Sequence, residues 1–284
     1  MKRYKLLMSI MAFLLVALFV HQKTAVVQAA EPTVIKISAI GLEDAAKMVK
    51  NFTPLCKYLS EKTGAKVIFV PKPNYTAVVE ALGNKSIDIA SLGPVTYVQA
   101  RNKYGVEPIV KAEENGHSIY SSIIFTRSDS PLSTLRDLKG KKVAFGDTES
   151  TSSNCAPKYL LKQNNINVSD LAQTKNFTSQ DEVISVVISK EYDAGAIKES
   201  VFIRNQSKGL KILGKFSTIP TFPYVARKGF DPNLKLKVKK ALLDLKDPAI
   251  LQSIEKTYTG FNEVKDSEYG WIQPAMIIIG IPTK

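Results

Sequence analysis

Histidine, cysteine and tryptophan are nearly missing from this sequence: two, two and one residues in 284. His21 falls in an N-terminal segment that reads as a removable leader, which leaves His117 alone. A single histidine excludes metal centres built from several imidazoles and gives a Ser-His pair only His117 as its base. No G-x-S-x-G elbow surrounds any serine. No catalytic residue, metal or cofactor is therefore expected. Cys56 and Cys155 lie far apart, one in a helical pattern and one in a loop, and are expected to stay unpaired although export permits a disulfide. There is no cysteine near the leader's end to take a lipid. Exact repeats and low-complexity segments are also absent. The net charge is +13, but the lysines are scattered rather than clustered, and with export this argues against nucleic acid as a partner.

What is present begins with the leader. Lys2, Arg3 and Lys5 precede the apolar run Leu6–Val20 and the small-residue end Val27-Gln28-Ala29-Ala30. This order predicts a secretory signal peptide over 1–30. Its apolar core is shorter than the roughly 18–20 residues of a membrane span, so an exported, soluble chain is expected. Removing Lys2, Arg3, Lys5 and Lys23 takes the charge from +13 to +9. About 250 residues remain, enough for one large domain or two lobes.

Strand patterns at Val34–Ile40, Lys66–Val70 and Ile87–Leu92 alternate with helical patterns at Asp44–Gly64, Tyr75–Leu82 and Val95–Tyr104. Met48, Phe52, Leu55, Cys56 and Leu59 share one face of the first helix, and Gly64 closes it. After a polar break at Glu113–Gly116, the extended run Ile119–Thr126 leads to a second series. That series has strands at Lys142–Phe145, Asp193–Ile197 and Leu210–Leu213, with helices at Ala156–Gln163 and Gln180–Lys190. Ile219–Arg227 is a second extended run, followed by helices near Leu234–Leu245 and Ile250–Tyr258. The pattern predicts an α/β protein of two lobes, each a mostly parallel sheet flanked by helices. Two extended runs would cross between the lobes, with a ligand cleft beyond the strand ends. Asp88 and Asp193 each stand at the start of a strand and are read as turn organisers. Trp271 is expected to pack on the first lobe.

The chain's centre of interest is Asp147–Pro157, DTESTSSNCAP, which lies between a strand and a helix. Ser150, Thr151 and Ser152 fall on that turn. Unpaired amides at a helix N-terminus carry partial positive charge, and hydroxyls beside them make a neutral socket for an oxyanion. A Ser/Thr run that merely caps the helix fits the same residues. Pro157 suits a first helical turn.

Three stretches together carry a resemblance: PNYTAVVEALGNKSIDIASLGPVTY (Pro73–Tyr97), IYSSIIFTRSDSPLSTLRDLKGKKVAFGDTESTSSNCAP (Ile119–Pro157) and IPTFPYVARKGF (Ile219–Phe230). They resemble the phosphonate/phosphite/phosphate-binding proteins of ABC importers, over nearly all of the chain beyond the leader. The resemblance implies a two-lobed periplasmic binding protein with two crossover strands, the type II arrangement. Lobe 1 would take 31–117 and 222–284, and lobe 2 would take 118–221. It further implies a monomer that captures a small phosphorus oxyanion and delivers it to a membrane permease. Ser150, Thr151 and Ser152 match the family's oxyanion turn, and Tyr75 and Tyr120 match its two cleft tyrosines. Gln180 and Asp181 stand where many members have a His-acid pair. Gln180 can still donate through its amide but has no proton to titrate. Phe222 and Ser200 stand where amine-binding members place acids, although Glu199 is adjacent to the second. So the oxyanion end is expected to be kept and an amine end lost. A ligand-sensing partner of a membrane receptor would use the same clamp. A serine hydrolase is the remaining alternative, and it lacks a base other than His117.

Overall fold

The computed structural model describes residues 33–40 and 44–284, so the leader expected over 1–30 lies outside it. In chain order the first part holds β1 (Val34–Ala39), α1 (Ala45–Thr63), β2 (Lys66–Phe69), α2 (Tyr75–Gly83), β3 (Ile89–Ser91), α3 (Pro94–Tyr104) and β4 (Glu107–Glu114). The middle holds β5 (Ile119–Arg127), β6 (Lys142–Phe145), α4 (Ala156–Gln163), β7 (Gln173–Asn176), α5 (Gln180–Ile188), β8 (Ala194–Lys198), α6 (Glu199–Asn205) and β9 (Leu210–Pro220). The last part holds β10 (Pro223–Ala226), α7 (Pro232–Asp244), α8 (Pro248–Ile254), β11 (Tyr258–Asn262) and α9 (Ile272–Ile279).

Local chemistry sets the ends of these elements. The Asp44 carboxylate accepts from the Ala46 and Lys47 amides to cap α1, and Gly64 closes it at φ 74°, a conformation that favours glycine. The stripe Met48, Phe52, Leu55, Cys56 and Leu59 is buried, as its spacing predicts. Pro94, Pro232 and Pro248 each open a helix, where a missing N–H costs nothing. Glu107–Glu114 and Gln173–Asn176 are strands without a clear apolar alternation. The helix expected to run to Tyr258 stops at Ile254, and Tyr258 opens β11 instead.

The strands form two sheets, ordered β11-β4-β10-β3-β1-β2 and β7-β6-β8-β5-β9. Each has the expected parallel core, β2-β1-β3 and β7-β6-β8. Both are mixed beyond it, because the strands beside the crossings pair antiparallel: β10 with β3 and β4, and β5 with β8 and β9. Helices cover both faces, giving an α/β protein of two lobes.

The chain passes between the lobes at 115–118 and at 221–222. There the two crossings hold one another. The Thr221 amide donates to the Ser118 carbonyl at 3.1 Å, and the Ala112 amide donates to the Phe222 carbonyl at 3.0 Å. The two parallel cores start with matching turns. Asp88 accepts from the Lys36 amide at 2.9 Å and Asp193 from the Lys142 amide at 2.8 Å, the organising role expected of both acids.

Trp271 packs on the core of the first lobe, as expected, and also reaches the second: α9 lies against both α3 and α4, and the Trp271 ring lies on Phe216 at 4.9 Å and Tyr159 at 5.9 Å. The two cysteines are free and buried.

Candidate functional site

The Ser/Thr run folds on the predicted strand-to-helix turn. After β6, residues Thr151–Cys155 form one π-helical turn that leads into α4. Ser150 caps it: its Oγ accepts from the Ser153 amide at 3.3 Å and the Ser153 hydroxyl at 2.7 Å. The turn lies directly on Gly146, where a Cβ would stand 2.0 Å from the Ser153 Oγ. Only glycine permits so close an approach.

Three contacts span the cleft from the two lobes. Thr151 Oγ1 accepts from the Val95 amide at 3.0 Å. That amide belongs to the first turn of α3, where no intrahelical acceptor exists. Thr76 donates to the Glu149 carboxylate at 2.8 Å. The Lys198 ammonium, at the end of β8, lies 2.7 Å from the Glu114 carboxylate at the end of β4. Ser152 contributes its carbonyl, which accepts from Ser122 Oγ at 2.6 Å.

Tyr75 stands in the first turn of α2, half-buried. Burial raises its phenol pKa, and the Asp147 and Glu149 carboxylates raise it further. Tyr120 is buried, and its phenol is raised by burial first, then by Glu114 and Tyr75, with the Thr151 hydroxyl opposing. Both phenols therefore keep their protons at neutral pH and can donate to an anion. Gln180 Oε1 accepts from the Lys198 amide at 2.7 Å. This fixes the amide's orientation and turns its two N–H donors elsewhere.

Two adjoining cavities, ≈ 270 Å³ and ≈ 300 Å³, share Tyr75, Gln180, Arg204 and Glu255 in their walls. Glu114, Lys198 and Phe222 also line the first, and Asp147, Ser150 and Asp181 the second. Their combined size suits a small ligand.

The matching family model, described as ABC transporter, phosphonate, periplasmic substrate-binding protein, covers residues 37–269. The chain belongs to this family. Its relatives include the probable ABC transporter phosphite binding protein PhnD1 of Prochlorococcus marinus (strain MIT 9301), 28% identical over 67% of this chain and 68% of that protein. The phosphate-import protein PhnD of Mycolicibacterium smegmatis is 37% identical over 43% of this chain, a match spanning 39% of the relative's own length. Among solved structures, PhnD1 of Prochlorococcus marinus in complex with methylphosphonate superposes with TM-score 0.76 at 23% identity. That comparison covers 88% of this chain and 99% of the other, and it establishes the likeness of fold.

In this periplasmic binding-protein family member, the expected site residues divide into two groups. Tyr75, Ser150, Gln180, Asp181 and Phe222 line the cavities, Asp181 as an exposed residue. Tyr120, Thr151 and Ser152 are buried beside them, at 8%, 4% and 5% exposure. Phe222 stacks on Tyr120, with centroids 5.7 Å apart and planes at 19°. Glu199 is tied to Lys215, while Ser200 faces the first cavity.

The cavity beside Phe222 is lined by two carboxylates, that of Glu255 and that of Glu114. Glu114 and Lys198 were missed because they are ordinary strand-end charges. Nothing local separates them from the other charged residues of the chain, and only the fold brings 114 and 198 together.

Proposed function

We propose that the chain is the extracytoplasmic substrate-binding component of an ABC importer. It captures a small phosphorus oxyanion (phosphonate, phosphite or phosphate) between its lobes and presents it to a membrane permease. The observation that carries this reading is the hydroxyl turn at Ser150–Ser152. It stands at a helix N-terminus and is linked through Thr151 to the start of α3 in the facing lobe. Such a place offers amide and hydroxyl donors, which suits an oxyanion.

Tyr75, Tyr120 and the Gln180 amide are proposed as further donors, and Phe222 as an apolar wall. Asp181 is proposed to stand at the rim, in the first turn of α5. The lobes, 31–117 with 222–284 and 118–221, would close about the crossings at 115–118 and 221–222. Export through a cleaved leader, a monomeric state and the lack of catalysis belong to the same reading. Binding need do no chemistry: the differential affinity of a two-lobed clamp for its ligand is sufficient to drive closure.

The test is calorimetry and thermal shift of the purified protein against phosphate, phosphite, methylphosphonate and sulfate. Saturable binding of at least one phosphorus oxyanion, with a rise in melting temperature, is expected. No binding of any phosphorus oxyanion would overturn the reading.

A further inference from the structure

The first cavity contains a cation box whose occupant is supplied by the chain itself. The Lys198 ammonium lies 2.7 Å and 2.9 Å from the two Glu114 carboxylate oxygens. It is also 5.0 Å from the centroid of the Tyr120 ring and 5.0 Å from that of Phe222. A carboxylate with two stacked aromatic faces is a general recognition site for an ammonium group. The pair is shielded from water: the Glu114 side chain is 5% exposed and that of Lys198 11%. The Lys198 backbone is held as well, its amide donating to Gln180. All of these groups face the cavity or pack against its wall.

We infer that Lys198 is a specificity residue: its ammonium fills the position that a ligand's ammonium would take. The protein thereby selects phosphorus oxyanions whose substituent is apolar or absent. This rests on the proposed function and deepens it. Two charge effects act together. A ligand bearing an ammonium would meet a like charge beside the box, and it would find the Glu114 carboxylate already paired. A methyl or short alkyl group incurs neither cost and fits against Phe222.

The inference separates two roles for the absent acids at 200 and 222. Phe222 and Ser200 alone would make the cavity merely indifferent to an amine. The Lys198–Glu114 pair makes it reject one. Removing Lys198 should therefore do more than relax specificity. It leaves a buried carboxylate without a partner, which an incoming ammonium can restore.

The experiment uses 2-aminoethylphosphonate and propylphosphonate, which differ in having a terminal ammonium or a methyl group. Affinities for both, and for phosphite, are measured by calorimetry in the wild type, Lys198→Ala and Lys198→Ala/Glu114→Gln. The wild type should bind propylphosphonate about tenfold or more tighter than the amine, a difference set by one unfavourable charge contact. Lys198→Ala should move that ratio at least about tenfold towards the amine, and the double variant should lose the gain. If Lys198→Ala does not fold, the wild-type ratio decides. A wild type that binds the amine as tightly as the propyl compound overturns the inference. So does an unchanged ratio in folded Lys198→Ala. A parallel loss of all three ligands would make Lys198 a direct anion contact and overturn it too. Phosphite binding by the wild type reports separately on the proposed function. If the wild type binds none of the three, this inference falls, and the proposed function falls with it only if phosphate and methylphosphonate also fail to bind.

Discussion

The Thr151 hydroxyl in one lobe accepts the Val95 amide of the other at 3.0 Å. This joins the proposed oxyanion turn to a helix start in the facing lobe. The Val95 side chain is fully buried, and the donor is one of the α3 amides with no intrahelical acceptor. Sequence alone suggests a cleft hydroxyl whose loss would spare folding. The structure ties Thr151 to the facing lobe, a task beside the binding role proposed for it. Thr151→Val should therefore lower stability by about 1–3 kcal/mol, the cost of an unsatisfied buried donor. It should also weaken oxyanion binding by roughly tenfold to a hundredfold. Thr151→Ser keeps the hydroxyl and should stay near wild type in both. Urea midpoints and calorimetry check this. Wild-type stability and affinity in Thr151→Val would remove the hydroxyl from both roles.

Much of this architecture is legible in the sequence because it is local. Helix spans follow from caps and apolar stripes, as with Asp44, Gly64 and the face from Met48 to Leu59. The roles of Asp88 and Asp193 were readable because each acid stands beside its strand. What was not legible depends on partners distant in the chain. β4 and β11 hold one another at an edge of the first sheet, and their residues alternate weakly. Trp271 packs on the first lobe as expected, but its ring contacts with Phe216 and Tyr159 join residues distant in the chain. At the proposed site, the hydroxyl turn and the tyrosines are suggested by likeness to a family. The Lys198–Glu114 pair is not, because its meaning lies in a contact 84 positions apart.

Glu149 should make stability depend on pH. Burial raises its pKa above the usual 4.5, Thr76 opposes through a hydrogen bond, and Asp147 raises it again. An acid whose pKa is higher folded than unfolded costs stability when ionised. The cost is present above the folded pKa, fades as pH falls towards the unfolded value, and vanishes below both. Glu149→Gln keeps an acceptor for Thr76 and removes the buried charge. It should raise the melting temperature at pH 7, and that gain should shrink near pH 4. It should also tighten oxyanion binding at pH 7, since one carboxylate beside Tyr75 is gone. Melting curves at the two pH values decide the first point, and equal gains at both would contradict this account of Glu149.

The two thiols should be inert in the native protein. Burial pushes Cys56 up to about 11 and Cys155 up to about 12, with Lys158 opposing weakly at the latter. At pH 8 neither presents a useful fraction of thiolate, and neither is reachable. Ellman's reagent should find no reactive thiol in the folded protein and two after denaturation without reductant. A single thiol or none in denaturant would show that Cys56 or Cys155 had been consumed by a disulfide or another modification.

Trp271 should report movement of the lobes. It is the chain's single tryptophan, so its fluorescence needs no assignment. Its backbone opens α9, which packs on α3 of the first lobe and α4 of the second, and its side chain lies on the first lobe's core as well as on Phe216 and Tyr159 of the second. The indole Nε1 is buried without a hydrogen-bond partner. Separating the lobes would strip the ring of aromatic contacts and expose the indole to water, shifting emission to the red. A ligand that touches both lobes favours the closed arrangement by its differential affinity. Adding the oxyanion to ligand-free protein should therefore shift emission to the blue, with a titration curve that matches the calorimetric isotherm. Trp271→Phe should be silent in fluorescence while still binding. Emission that stays constant through saturation, in a protein shown by calorimetry to bind, would mean that the lobes do not move at this contact and that capture occurs without closure about Trp271.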